Sequence, residues 1–236
     1  MGEEFDASLD YDRGNQFERE KTFQLNQEIL GSNGKRSIVI PAPARLEIQP
    51  EQQARMQALI DGWQQRYVDW GFKDPRTTLV YPLWAKVLPQ HKIIAIYRPV
   101  EELWLRYRPK SNFRRYRDFK IALNLIRRWC EHNARIVRYL GDTPMEHLLL
   151  EYRQLMETEQ EFEHLQAFVG RPLIDKRQPS LYRHRTNKRS PVLRAAIWFH
   201  KLQGGQTPGE IITQLEQLHS LGFQPTNQTQ AALIEG

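Results

Sequence analysis

The sequence predicts a single α/β domain of three layers, a parallel sheet flanked by helices. Three observations predict it. Lys92 to Tyr97 (KIIAIY) and His147 to Tyr152 (HLLLEY) are short, continuous apolar runs, which suit strands buried on both faces as in a parallel sheet. Between them lies a helical pattern from about Arg117 to Tyr139, and strand, helix, strand with long crossovers is α/β order. The 236 residues are 40% hydrophobic and 26% charged, which is enough apolar material for one packed core and too much for a disordered chain. The domain is expected over residues 1–222, with a polar tail at 223–236.

Each element has its own signal. Residues 1–15 are polar and read as loop. Phe17 to Leu30 places Phe17, Leu25, Ile29 and Leu30 among charged residues and stops at Gly31, so it reads as a helix. Ser37 to Ile40 reads as a short strand. Met56, Leu59, Ile60, Trp63 and Tyr67 recur at helical spacing on one face. The long central helix carries Phe119, Leu123, Ile126, Trp129, Ile136, Val137 and Leu140 as its apolar stripe. In the last third, Thr158 with Glu161 forms a capping box and Gly170 ends that helix. Ser190-Pro191 opens another helix, and Thr207-Pro208-Gly209-Glu210 opens the last, which stops at Gly222.

Composition narrows the function classes. No apolar run approaches the roughly 20 residues of a membrane span. The opening MGEEFDASLDYD is acidic and polar, unlike a signal or transit peptide, and the one cysteine, Cys130, cannot form an internal disulfide, so a cytoplasmic protein is expected. The net charge of +6 suits an anionic partner and equally a plain solvated surface. The sequence has no HExxH, CxxC, GxSxG or strand-linked GxGxxG, and the histidines lack metal-ligand spacing, so no metal is expected. Gly31-Ser-Asn-Gly34-Lys35-Arg36-Ser37 mimics a shortened phosphate-binding loop. It follows a helix rather than opening one, so it reads as a surface turn.

The informative stretch is Trp70 to Arg108, WGFKDPRTTLVYPLWAKVLPQHKIIAIYRPVEELWLRYR. Lys73-Asp74-Pro75-Arg76 is expected to end a short strand-like segment, and Arg98 ends the next strand. Two cations at the carboxyl ends of neighbouring strands would stand where open α/β sheets bind ligands. The alternative from spacing alone is that Asp74 and Arg76 pair and cap while Arg98 satisfies a turn.

This segment resembles the PAPS-dependent sulfotransferases, a family with a P-loop-type fold. The matching residues are Trp70, Lys73-Asp74-Pro75-Arg76, Trp84, Pro89, Arg98 and Glu102-Leu103. Asn15, Phe17, Glu18, Leu25 and Asn26 resemble the family's "N-x-x-(aromatic)-E…LN" stretch, Trp129 and Asn133 its "W…N" helix, Leu148 to Leu155 its "(L)xYxxL" strand and turn, and Phe168-Val169-Gly170 its "FxG" ending. The resemblance implies sulfuryl transfer from PAPS to a hydroxyl or amine of a small-molecule or glycan acceptor. Such an enzyme positions an in-line attack and spreads negative charge over cations. It implies Lys73 against the sulfuryl group, Arg98 on the cofactor's 3′-phosphate and Glu18 as general base. Glu18 reads equally as a first-turn helix glutamate.

The sequence departs from the family in three places. The family opens with a strand and a Gly/Ser/Thr-rich loop whose N–H groups cradle the 5′-phosphosulfate, whereas this sequence opens at Met1-Gly2 where the following helix should be finishing. It is therefore expected to lack its first strand and to be inactive or nearly so. The serine usual about eight residues after the arginine is replaced by Leu105 or Arg106, and Arg106 is an alternative phosphate ligand. The closing basic loop has only Tyr182-Arg183-His184-Arg185 and Lys188-Arg189 in its place. The basic run Arg106, Arg108, Lys110, Arg114, Arg115 and Arg117, with Tyr107, Phe113 and Tyr116, reads first as a cofactor-side loop, then as a solvated face, and least as a nucleic-acid patch. Beside the enzyme stand a non-catalytic remnant that binds a nucleotide or a protein, and a basic nucleic-acid-binding protein.

Overall fold

The computed structural model describes residues 20–108, 115–177, 179, 190–221 and 223. Contacts within the chain divide it into two units, 1–90 and 91–236. The first is helical where described: α1 (Glu20–Ile29), a 3-10 turn at Ser37–Val39, α2 (Pro50–Arg66) and α3 (Thr77–Trp84). In α2, Met56, Ile60 and Trp63 are buried at helical spacing. Met56 and Ile60 join Leu25, Ile40, Leu79, Val80, Leu83 and Trp84 in one core.

Ser37 to Ile40, expected as a strand, is a turn instead. Val39 N–H donates to the Arg36 carbonyl and Ile40 N–H to that of Ser37, both at 3.1 Å. The β-branched residues favour a strand only against a partner strand, and here the turn's own bonds satisfy the backbone while Ile40 alone is driven into the core. The glycine pair upstream is the expected surface turn. Gly31 and Gly34 adopt φ +55° and +72°, and Ser32 N–H returns to the Gln27 carbonyl at the end of α1.

The second unit holds β1 (Ile93–Tyr97), α4 (Val100–Tyr107), α5 (Arg115–Asp142), β2 (His147–Glu151), α6 (Tyr152–Glu157), α7 (Glu159–Val169), α8 (Pro191–Leu202) and α9 (Pro208–Leu221). The strands pair in parallel, from Ile93 against His147 to Tyr97 against Glu151. This is a helix-rich α/β structure, and among the described residues its sheet has two strands. β2 is buried almost throughout, with Leu148 and Leu150 packed on Leu155 and Phe168. β1 departs from the expected burial on both faces: Ile94 and Ile96 are 44% and 47% exposed. They alternate onto one face of β1, which the core of Leu148, Leu150, Leu155 and Phe168 does not include.

α8 and α9 pack along α5. They bury Leu193, Ala196, Ile211 and Leu215, while α5 buries Leu123, Ile126, Trp129 and Leu140 of its expected stripe. The caps form where the sequence places them. Thr158 Oγ1 accepts from Glu161 N–H, Ser190 Oγ accepts from Leu193 N–H, and Thr207 and Glu210 bond reciprocally. Gly170 closes α7 at φ +84°, a conformation that suits glycine. Among the described residues no helix is long and apolar enough to cross a membrane.

Arg177 clasps the segment after α7. Its Nη1 donates to the Leu155 and Thr158 carbonyls at the end of α6, at 2.9 and 2.8 Å. Its Nη2 reaches Glu159 and Asp175, and its Nε reaches Asp175. The guanidinium lies 4.4 Å from the Phe162 ring centroid. These bonds hold the Asp175 carboxyl below the usual carboxylate range. A depressed folded value means stabilisation that is present at neutral pH and lost as pH falls through that value. The protection of amides across residues 171–177 against hydrogen exchange, relative to the unfolded rate at the same pH, is therefore expected to fall on acidification into the carboxylate range. Arg177→Ala should show the low protection already at neutral pH. Burial pushes the Cys130 thiol up to about 12, so the folded chain should resist thiol-alkylating reagents until it is denatured.

Candidate functional site

Arg98 is the first residue past the carboxyl end of β1, and three groups position it. Trp129 Nε1 of α5 donates to its carbonyl at 2.8 Å. Its guanidinium carbon lies 3.6 Å from the ring centroid of Tyr152, the residue that follows β2. Its Nε stands 4.0 Å from Glu102 Oε2, one turn into α4. That separation exceeds a hydrogen bond, so Glu102 balances the charge without occupying a donor. The side chain is 26% exposed. A cation–π contact of this kind contributes about 0.5–2 kcal/mol and leaves the guanidinium edge able to meet an anion in a bidentate pair.

Parallel register produces this arrangement. Pairing Tyr97 with Glu151 brings the next residues, Arg98 and Tyr152, side by side. The Trp129 bond fixes the backbone, and Asn133 Nδ2 donates to the Trp129 carbonyl one turn along. α4 is tied down by Trp104 Nε1, which donates to the Ser190 hydroxyl at 3.1 Å. Arg106 lies in the last turn of α4 with its side chain exposed, one helical turn beyond Glu102.

Lys73 belongs to the first unit, and no strand precedes it among the described residues, contrary to expectation. Aromatic stacking organises the segment in place of a ladder. Trp63 stacks on Trp70 and Phe72, at 5.0 and 5.7 Å between centroids, and Phe72 on Trp84 at 4.7 Å. Asp74 and Arg76 then form a buried ion pair at 3.0 Å, with side chains 0% and 2% exposed. Asp74 Oδ1 also accepts from Arg76 N–H, and its Oδ2 accepts from Asn26 Nδ2 at 2.8 Å. Asn26 Oδ1 accepts from Trp84 Nε1. Arg76 Nη2 reaches the Lys35 carbonyl, and its guanidinium covers the Phe23 ring. The alternative reading of Asp74 and Arg76 as a structural pair therefore holds, while Lys73 between Phe72 and Asp74 is exposed.

Glu18 lies outside the described residues, as do 109–114 of the basic run and 181–189 of the second basic segment. Sequence reasoning missed a cleft of about 60 Å³ lined by Tyr97, Glu151, Gln154, Glu216 and His219. Its linings come from strand ends and from α6 and α9, so no local pattern announces it. Compared with protein families, curated proteins and solved structures, the chain matches none.

Removing one partner of the buried pair leaves an uncompensated charge. Asp74→Ala is expected to cost about 3–5 kcal/mol of stability in chemical denaturation, against well under half of that for Lys73→Ala.

Proposed function

We propose that the chain is a sulfotransferase-like protein of the P-loop type, three-layered, that binds PAPS through Arg98. The observation that carries this reading is the placement of Arg98: a partly exposed guanidinium, braced on Tyr152, at the carboxyl end of a parallel strand pair. Residues that resemble the family's motifs also serve one another. Asn26, Asp74 and Trp84 share one buried hydrogen-bond network, and Trp129 holds Arg98.

In this reading Arg98 grips the 3′-phosphate, with Arg106 as a second cation, and Lys73 meets the sulfuryl group. The acceptor oxygen or nitrogen forms a bond to sulfur as the bond from sulfur to the 5′-phosphate oxygen breaks. The acceptor's proton passes to a base, the role assigned to Glu18, and adenosine 3′,5′-bisphosphate leaves. Negative charge shifts to that leaving oxygen, where a lysine ammonium lowers the barrier.

Adenosine 3′,5′-bisphosphate is expected to raise the melting temperature, and Arg98→Ala to weaken its binding about tenfold or more. Labelled sulfuryl transfer from PAPS is expected to be weak in this chain, and what there is should fall with Lys73→Ala while bisphosphate binding persists. Binding without transfer in the wild type would favour the non-catalytic nucleotide binder, and no stabilisation by the bisphosphate would defeat both readings.

A further inference from the structure

The cleft at the end of the strand pair has a chemistry opposite to that of Arg98. Tyr97 is 6% exposed, and no group among the described residues hydrogen-bonds its hydroxyl, although the side chain lines the cleft. Its register partner Glu151 is occupied on both oxygens: Oε1 lies 3.1 Å from Arg153 Nη2, and Oε2 accepts from Gln154 Nε2 at 2.8 Å. Because Gln154 donates with its nitrogen, its oxygen remains an acceptor. Glu216 of α9 adds an exposed carboxylate.

His219, also of α9, lies with Nδ1 at 2.6 Å from the Leu149 carbonyl. A carbonyl only accepts, so Nδ1 carries the proton, and Nε2 is left 3.8 Å from Glu161 Oε1 of α7. His164 Nδ1 stands at the same distance from that oxygen, while the other oxygen of Glu161 is buried without a hydrogen-bond partner. Among the described residues three carboxylates thus act on the Tyr97 hydroxyl against the guanidinium of Arg153, with two imidazoles beside Glu161. Burial, and then Glu151, Glu216 and Glu161, push the Tyr97 hydroxyl far above its usual range, so it stays protonated in a negative potential.

An anion is repelled from such a place, and the cleft is too small for a nucleotide. Among the described residues no group of three or more His, Cys, Asp or Glu stands close enough to hold a metal. N–H donors bond oxygen acceptors at about 2.9 Å, and the Tyr97, Gln154 and Glu216 side chains that line the cleft all carry such acceptors. We propose that this cleft binds the primary ammonium group of a small amine, which donates to the Tyr97 hydroxyl oxygen, the Gln154 amide oxygen and the Glu216 carboxylate. The site stands whether or not the chain transfers sulfuryl groups.

The test titrates the full chain with methylammonium chloride near neutral pH, at ionic strength held constant with sodium chloride, and follows the Gln154 amide and His219 imidazole resonances. Saturable shifts are expected with methylammonium and not with tetramethylammonium, which has no N–H to donate. Glu216→Gln and Tyr97→Phe should each weaken binding about tenfold, the effect of losing one hydrogen bond that involves a charge. Glu216 is exposed, so its variant keeps the test decisive if Tyr97→Phe fails to fold. Absence of saturation, equal shifts with tetramethylammonium, or unchanged affinity in a folded Glu216→Gln would overturn the proposal.

Discussion

The register of two parallel strands governs everything at the candidate site. Tyr97 opposite Glu151 decides which side chains end each strand, and it delivers Arg98 onto Tyr152 one residue later. A slip of one residue would exchange the faces of every side chain on β1 and separate the guanidinium from its ring. Two further bonds make the register costly to lose. Trp129 reaches from α5 to the Arg98 carbonyl, and His219 reaches from α9 to the Leu149 carbonyl. Each satisfies a backbone acceptor with a side chain from a distant element.

The same rim thus carries two electrostatic characters. Arg98 leans on an aromatic face with one carboxylate at a distance, which leaves it suited to an anion. The Tyr97 cleft gathers carboxylates and is suited to a cation. Strand alternation keeps the two apart, because successive residues leave a strand on opposite sides. In the first unit, Asp74 and Arg76 are spent on each other and on Asn26, so that segment derives order from a buried polar network rather than from a strand. Such a network fixes one geometry because every polar atom lost from it leaves another unpaired.

Much of the second unit was legible in the sequence because its signals are local. Thr158, Ser190 and Thr207 cap within three residues of themselves, Gly170 needs only its own backbone angle, and the apolar stripe of α5 has the helical period. Arg98 at the end of β1 followed from the apolar run before it. The missed features depend on distant partners. Asn26 meets Asp74 and Trp84 across 48 and 58 residues, and the cleft joins Tyr97 to Glu216 and His219 of α9. Ser37 to Ile40 has strand composition without a strand to pair with, and β1 has the composition of a buried strand although half of each of Ile94 and Ile96 remains open. The resemblance to sulfotransferases named Asn26, Asp74, Trp84, Arg98 and Trp129 together, and the contacts among them were beyond what spacing alone reveals.

The most direct measurement is a crystal structure of the chain with adenosine 3′,5′-bisphosphate. The account predicts 3′-phosphate oxygens within about 3 Å of the Arg98 guanidinium, with the ring of Tyr152 still beneath it. A nucleotide bound elsewhere, with Arg98 touching no phosphate, would contradict it.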